Sequence, residues 1–461
     1  MRDIEFDKRL DSAPYATIWN LAWPQVVMMF FHFLIGFADV WVAGRISREV
    51  QACMGGMSQA MFFFMVVAVA LANGSVAAIS QSSGAGLPRR IKRFVGLSLG
   101  LGLVSGVLIF GLGLAMDRHF LQLLNMPDEV MPIAEYLLQV SLYILPAYYI
   151  FTISNSFFRA QKIVTIPLYS MVLVTAVNTV ADLGLGLGLW GLPNLGYKGI
   201  AWATFGSVFC GTVYNVVMLF RCGLVSMQSV APWRWIRLAL PYLVRVSWPA
   251  GLMQLVWHSA YMVLYSITAS LPHDSITAMA GMSAGLRIEA LLFLPGIAFN
   301  FTASILVGHY LGQGQKMQAK RMGYRIMAVG VVIISVITGL LWLVIEPAIA
   351  YVAPDADVQA EALRYLAWNM AATPPLLAAM ILGGAFVGAG ATMYQTVIFG
   401  SAAWLVRLPL AYVLGHVILE SAQGVWIAMF VSVLVQCSTM AYFYHCKDWY
   451  RFTLRKSRSA A

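Results

Sequence analysis

The sequence predicts an all-α polytopic membrane protein: twelve transmembrane helices in two six-helix bundles related by pseudo-twofold symmetry along the membrane normal. Three observations carry this. The 461 residues are 60% hydrophobic and only 10% charged, against about 25% charged in soluble domains. Apolar runs long enough to cross a bilayer recur along the whole chain, and no polar stretch between them is long enough to fold alone. The two halves also echo each other at a nearly fixed offset.

The apolar runs fall near 15–43, 52–82, 94–115, 130–158, 165–190, 196–220, 241–270, 276–310, 322–346, 358–390, 393–419 and 424–446. They are continuously apolar, whereas membrane strands alternate over about ten residues, so each must satisfy its own backbone as a helix. The first span holds Trp23-Pro24, a proline that frees a carbonyl and permits bending. The second ends at Gly84-Ala85-Gly86, and Arg89, Arg90, Lys92 and Arg93 open the third. The fourth closes on Phe158-Arg159, the fifth carries Asn178 and Asp182, and the sixth has Gly199-Ile200-Ala201 in its first turns. The seventh restarts the series with Trp248-Pro249. The start of the chain, MRDIEFDKRLDSAP, mixes both charge signs, unlike a cleaved signal peptide.

An even number of spans places both termini on one side, and the basic residues identify it. Arg89 to Arg93, Arg159, Lys162, Arg221, Arg234, Arg237, Arg245, Lys316, Lys320, Arg321, Arg325, Lys447, Arg451, Arg455, Lys456 and Arg458 all fall on the side of the termini. The opposite loops hold Arg45, Arg48, Arg118 and Lys198, with the acids Asp128, Glu129, Glu346, Asp355 and Asp357. The expected location is the cell inner membrane, multi-pass, with both termini cytoplasmic. This distribution accounts for most of the +10 net charge without a groove-filling basic helix, so no nucleic acid is expected. The five cysteines, Cys53, Cys210, Cys222, Cys437 and Cys446, have neither metal-site nor redox spacing and read as small packing residues.

Trp23-Pro24 returns as Trp248-Pro249, Gly84-Ala85-Gly86 as Gly312-Gln313-Gly314, Phe158-Arg159-Ala160 as Phe386-Val387-Gly388, and Gly199-Ile200-Ala201 as Gly424-Val425-Trp426. The unit is six helices. The expected division is an N-terminal six-helix bundle at 1–222 and a C-terminal one at 223–461, including a connecting loop at about 223–240. Copies of even span number insert in the same orientation, as in parallel-repeat transporters, with a cavity expected between the bundles.

Three acids lie inside spans: Asp39, Asp182 and Glu289. Each costs about 2.5 to 3.5 kcal/mol at a helix centre on insertion scales and so marks function by default. Asp39 and Asp182 are at similar depth, and Asn178 lies one turn before Asp182 on the same helix face. The three supply oxygens for a hard cation or a proton site; the blander reading is a helix cap or a wet vestibule. Glu289 and Arg407 are near the midplane of the second bundle, where a self-neutralising ion pair is the preferred reading and a second proton step the other. His32, seven residues before Asp39, is placed to relay a proton, but it and His258 are read as packed rings. The 25 Met, 25 Phe, 20 Tyr and 14 Trp suit an adaptable cavity for flat, greasy cations, though membrane helices use the same residues.

At this point the chain resembles the multidrug and toxic compound extrusion (MATE) family. The resemblance rests on Pro24 to Asp39 to Gly44, Gln81-Ser82-Ser83-Gly84-Ala85-Gly86, and Asn178-x-x-x-Asp182. It continues through Leu294-Pro295-Gly296, Leu306-Val307-Gly308-His309-Tyr310-Leu311-Gly312 and Gly388-Ala389-Gly390-Ala391-Thr392. It implies antiport: organic cations or other amphipathic compounds leave as H+ or Na+ enters, by alternating access. The DinF-like branch is the most similar, with its cation site in the N-terminal bundle at Asp39, Asn178 and Asp182, and Asn155 and Thr204 as further matches. Asn155 falls near the inner end of its span, away from the depth of Asp182. Acids that another bacterial branch places in the seventh and tenth helices are missing; Asp274 and Glu361 lie only at span ends. Beyond H+ or Na+ no cofactor is expected, and no other metal. The expected partners are small amphipathic or cationic substrates and membrane lipids, and the expected unit is a monomer. A lipid-linked oligosaccharide flippase of the same superfamily and a non-transporting membrane protein are the rival readings. No nucleophile elbow, zinc pattern, Walker loop or dinucleotide fingerprint appears, so no enzyme is expected.

Overall fold

The computed structural model describes residues 12–123 and 130–454, and among these the chain is helical with no strand. The expected loop charges Asp128, Glu129, Arg455, Lys456 and Arg458, and the side chain of Arg118, lie outside the described residues. The helices are α1 (Pro14–Ile46), α2 (Arg48–Gly84), α3 (Pro88–Leu123), α4 (Met131–Ala160), α5 (Thr165–Gly186), α6 (Tyr197–Arg221), α7 (Trp233–Ala269), α8 (Ser275–Gln313), α9 (Lys316–Leu343), α10 (Ile345–Val352), α11 (Ala356–Ala389), α12 (Thr392–Ile418) and α13 (Ala422–Cys446). Eleven of them are long and apolar enough to cross a membrane by length and composition. The twelfth expected span is α7, 37 residues long. Its apolar run is diluted by Gln254, His258 and two prolines, which leaves it less apolar than the other eleven. The short α10 is an addition that the apolar pattern did not separate from the ninth span.

Helix ends carry the repeat in their geometry. Gly86 and Gly314 have φ of +67° and +85°, and Lys162 and Gly390 have φ of +63° and +76°; each pair is 228 residues apart. All four sites close with the same bond, from the following amide back to a carbonyl five residues earlier: Leu87 to Ser82, Ile163 to Phe158, Gln315 to Tyr310 and Ala391 to Phe386. This left-handed cap satisfies carbonyls that the helix end strands, which is why glycine occupies three of the four positions. Lys162 is the exception and carries the strain of a side chain there.

The chain divides into two compact units, one of Val27–Gly251 and the other of Leu252 onward together with the described residues up to Val26. The division does not follow the expected boundary at 222/223. Both dividing points lie inside helices, each two residues after a Trp-Pro pair. Proline removes a backbone donor and loosens the helix there, so each half-helix takes its own neighbours. In the unit built on α2 to α6, Gly74 of α2 faces Ser247 of α7 so closely that a Cβ would lie 2.1 Å from the Ser247 Oγ. In the other unit, Gln25 of α1 donates through Nε2 to Thr302 Oγ1 of α8 at 3.1 Å and to Leu21 O at 2.8 Å. Gly74 and Thr302 are again 228 residues apart, so corresponding helices receive the corresponding half-helices through different chemistry.

Each unit has its own core. Met57, Met61, Leu138, Leu142, Leu145 and Tyr149 join α2 to α4, and the Tyr149 hydroxyl donates to Phe64 O at 2.7 Å. In the second unit α8 and α11 are drawn together by small residues: a Cβ on Gly384 or Gly388 would lie 2.2 Å from the Asn300 or Ser304 carbonyl. Association in lipid relies on such close backbone approach.

Candidate functional site

Asp39 of α1 and Asn178 and Asp182 of α5 come together, as their shared depth predicts. Asn178 and Asp182 are fully buried, and Asp39 is half-buried. With its amide turned to satisfy both neighbours, the Asn178 side-chain nitrogen donates to Asp39 Oδ1 and Asp182 Oδ2, each at 3.3 Å. Asp182 Oδ1 is buried and has no partner. A desolvated carboxylate oxygen is costly when left bare. The pair therefore has room for one small positive charge, a proton or a hard cation, that Asn178 positions without neutralising.

The local sequence explains the geometry. Asp182 opens a π-helical turn, Asp182–Gly186, that ends α5; such turns recur at functional sites because they displace side chains and carbonyls from the regular ladder. The start of α6 abuts this turn through Gly199, where a Cβ would lie 2.3 Å from Leu185 O.

Asn155 and Thr204 are not brought into the trio. Asn155 Oδ1 accepts from Asn215 Nδ2 at 2.9 Å, in a network with Ser154 on the C-terminal half of α4, and the Thr204 hydroxyl donates to Ile200 O in its own helix. Pro24 lies within α1, two residues before the dividing point. His32 is exposed on α1, whereas His258 bonds Gln254 O at 3.1 Å.

Glu289 and Arg407 are both buried in the second unit but do not form the expected direct ion pair. Tyr365 donates its hydroxyl to Glu289 Oε2 at 2.6 Å. Arg407 donates from Nε to Ser432 Oγ at 2.9 Å, and its guanidinium lies 5.0 Å from the Trp257 ring and 5.5 Å from the Tyr261 ring. A phenol and a serine thus take the contacts that a carboxylate and a guanidinium would have given each other. Arg407 Nη1 and both amide atoms of Gln436 are left unpartnered. Sequence reading missed Tyr365, Ser432 and Gln436 because neutral polar residues in a span carry little hydropathy signal. Glu361 is buried too, accepting from Trp426 Nε1 at 2.8 Å and pairing with Arg364 at 3.2 Å.

The second repeat does not copy the acids. The position 225 after Asp39 is Leu264, and the position 228 after Asp182 is Leu410, followed by Ala411. Leu264 and Leu410 are respectively buried and half-buried.

Comparison with known proteins places this architecture. The chain is 24% identical to the Probable multidrug resistance protein NorM of Thermotoga maritima, over 93% of this chain and 92% of that one. Among solved structures, MATE in the bent conformation superposes with a TM-score of 0.85 at 19% identity, covering 94% of both chains. MATE in the straight conformation gives 0.85 at 20% identity, covering 93% of this chain and 94% of that one. The MatE family pattern matches residues 24–183 and 249–413, one copy in each repeat, and this chain belongs to the MatE family.

Proposed function

We propose that this chain is a secondary antiporter that exports organic cations or other amphipathic compounds in exchange for inward H+ or Na+. The observation that carries the reading is the buried Asp39–Asn178–Asp182 cluster with a bare Asp182 oxygen, present in one repeat only. A site with two carboxyls and one amide loads a single cation and changes its net charge in doing so. Exchange then follows when cation and substrate disfavour each other, since ligands that bind indifferently to one another are not coupled. Pro24 supplies the bend in α1 through which loading at Asp39 changes access, by alternating access across the cell inner membrane with both termini cytoplasmic. The multidrug resistance name of the Thermotoga maritima relative supports the substrate class, and the single-repeat acids fit the DinF-like branch.

The test is efflux of a fluorescent organic cation from sealed liposomes holding purified protein, with pH and Na+ gradients imposed separately. Efflux driven by one gradient and lost in Asp39→Asn and Asp182→Asn, with both variants folded, supports the reading and names the ion. Full activity in both variants overturns it.

A further inference from the structure

We propose that the inner end of α3 and the turn before α7 form a binding site for the phosphate of an anionic phospholipid. A cavity of about 230 Å³ there is lined by Arg89, Arg93, Gln228 and Val230, with no acid among them. Arg89 and Arg93 are one turn apart on α3, so both guanidiniums face the same side. Each presents planar donors suited to phosphate oxygens. The site is built rather than incidental. Arg93 is held 5.9 Å from the Trp235 ring, which in turn meets Phe94 edge-on at 5.0 Å. The turn carrying Gln228 is closed by Ser229 N donating to Ser226 O at 2.8 Å and Ser226 N donating to Ser229 Oγ at 3.0 Å. It is pressed onto α3 at Gly96, where a Cβ would lie 2.1 Å from Ser229 O.

The surroundings select a lipid over a free anion. Met227 is 92% exposed, Val230 79% and Leu238 81%, and Trp233 in the same stretch of chain is exposed too. Val230 lines the arginine-bearing cavity itself, and exposed apolar side chains in the stretch that follows match a molecule with a phosphate at one end and acyl chains beside it. Interfacial segments of membrane proteins pair basic and aromatic residues in this way. The inference does not depend on the antiport reading, only on the chain residing in a membrane.

The test is native mass spectrometry of the purified full-length protein in detergent, with phosphatidylglycerol and phosphatidylcholine supplied in turn. Two basic residues at about 1 kcal/mol each, with tenfold per 1.36 kcal/mol, make the expected loss of phosphatidylglycerol affinity about thirtyfold in Arg89→Gln/Arg93→Gln, with phosphatidylcholine unchanged. Val230→Glu, at an exposed position that lines the cavity, is a second variant expected to lose phosphatidylglycerol by charge repulsion. Equal retention of phosphatidylglycerol by the wild type and both variants overturns the proposal. So does protection from thermal unfolding by millimolar inorganic phosphate that phosphatidylglycerol does not exceed, which assigns the cavity to a free anion.

Discussion

Replacing Tyr365 with Phe isolates one bond in the second unit. The ring keeps its edge-on contact with Trp426 at 4.9 Å and its place beside Gly285, while the 2.6 Å hydroxyl contact to Glu289 is deleted. A hydrogen bond to an ionised group contributes about 1.5–3 kcal/mol, against about 0.5–1.5 kcal/mol for a neutral one. Both partners are buried, so water does not replace the donor, and Tyr365→Phe is expected to cost about 2 kcal/mol. In a Glu289→Gln background the same change is expected to cost about 1 kcal/mol, because the acceptor is then neutral. The assay is reversible unfolding in mixed micelles by SDS titration, followed by tryptophan fluorescence, on the two single variants and the double. A loss below about 0.5 kcal/mol for Tyr365→Phe refutes the claim that the phenol holds Glu289. An equal loss in both backgrounds refutes the expectation that the acceptor carries a charge.

Two further perturbations read other links of the account. Pro24→Ala returns an amide that can bond the Asn20 carbonyl and removes a helix-interior proline penalty of about 3 kcal/mol; thermal unfolding in detergent is expected to shift upward while liposomal efflux falls, and unchanged efflux contradicts the bending role. Gly199→Ala places a Cβ 2.3 Å from Leu185 O, so the π-turn that presents Asp182 must shift, at an expected cost of about 1–3 kcal/mol from overpacking; an unfolding midpoint and cation response both equal to wild type contradict the fitted contact.

What was legible in the sequence was whatever hydropathy and spacing encode. The series of spans and the 228-residue repeat follow from apolar period and helix-end glycines, since the bilayer imposes one solution on each span, while α3 and α7 run well beyond their apolar stretches. Asp39, Asn178 and Asp182 stood out because charge inside an apolar run is costly. The site around Arg407 was only half legible: the arginine is conspicuous, but Ser432 and Tyr365 belong to helices far off in sequence. Asn155 entered only through the family resemblance, its place in the span already set it apart from Asp182, and its partner is Asn215. The dividing points after Val26 and Gly251 were hidden because the proline pattern marks where a helix is free to loosen, and only packing decides which half goes where.

The central claim, that one cation at Asp39, Asn178 and Asp182 opposes substrate, is tested most directly by substrate affinity measured at low and saturating coupling ion. Fluorescence binding of an organic cation to purified protein in micelles, repeated across pH and across Na+ concentration, gives the coupling factor. One ion is expected to weaken binding by about tenfold or more, a coupling of about 1.4 kcal/mol or greater, and Asp182→Asn is expected to abolish this dependence. Affinity indifferent to both ions in the wild-type protein, or a dependence that survives Asp182→Asn, would contradict it.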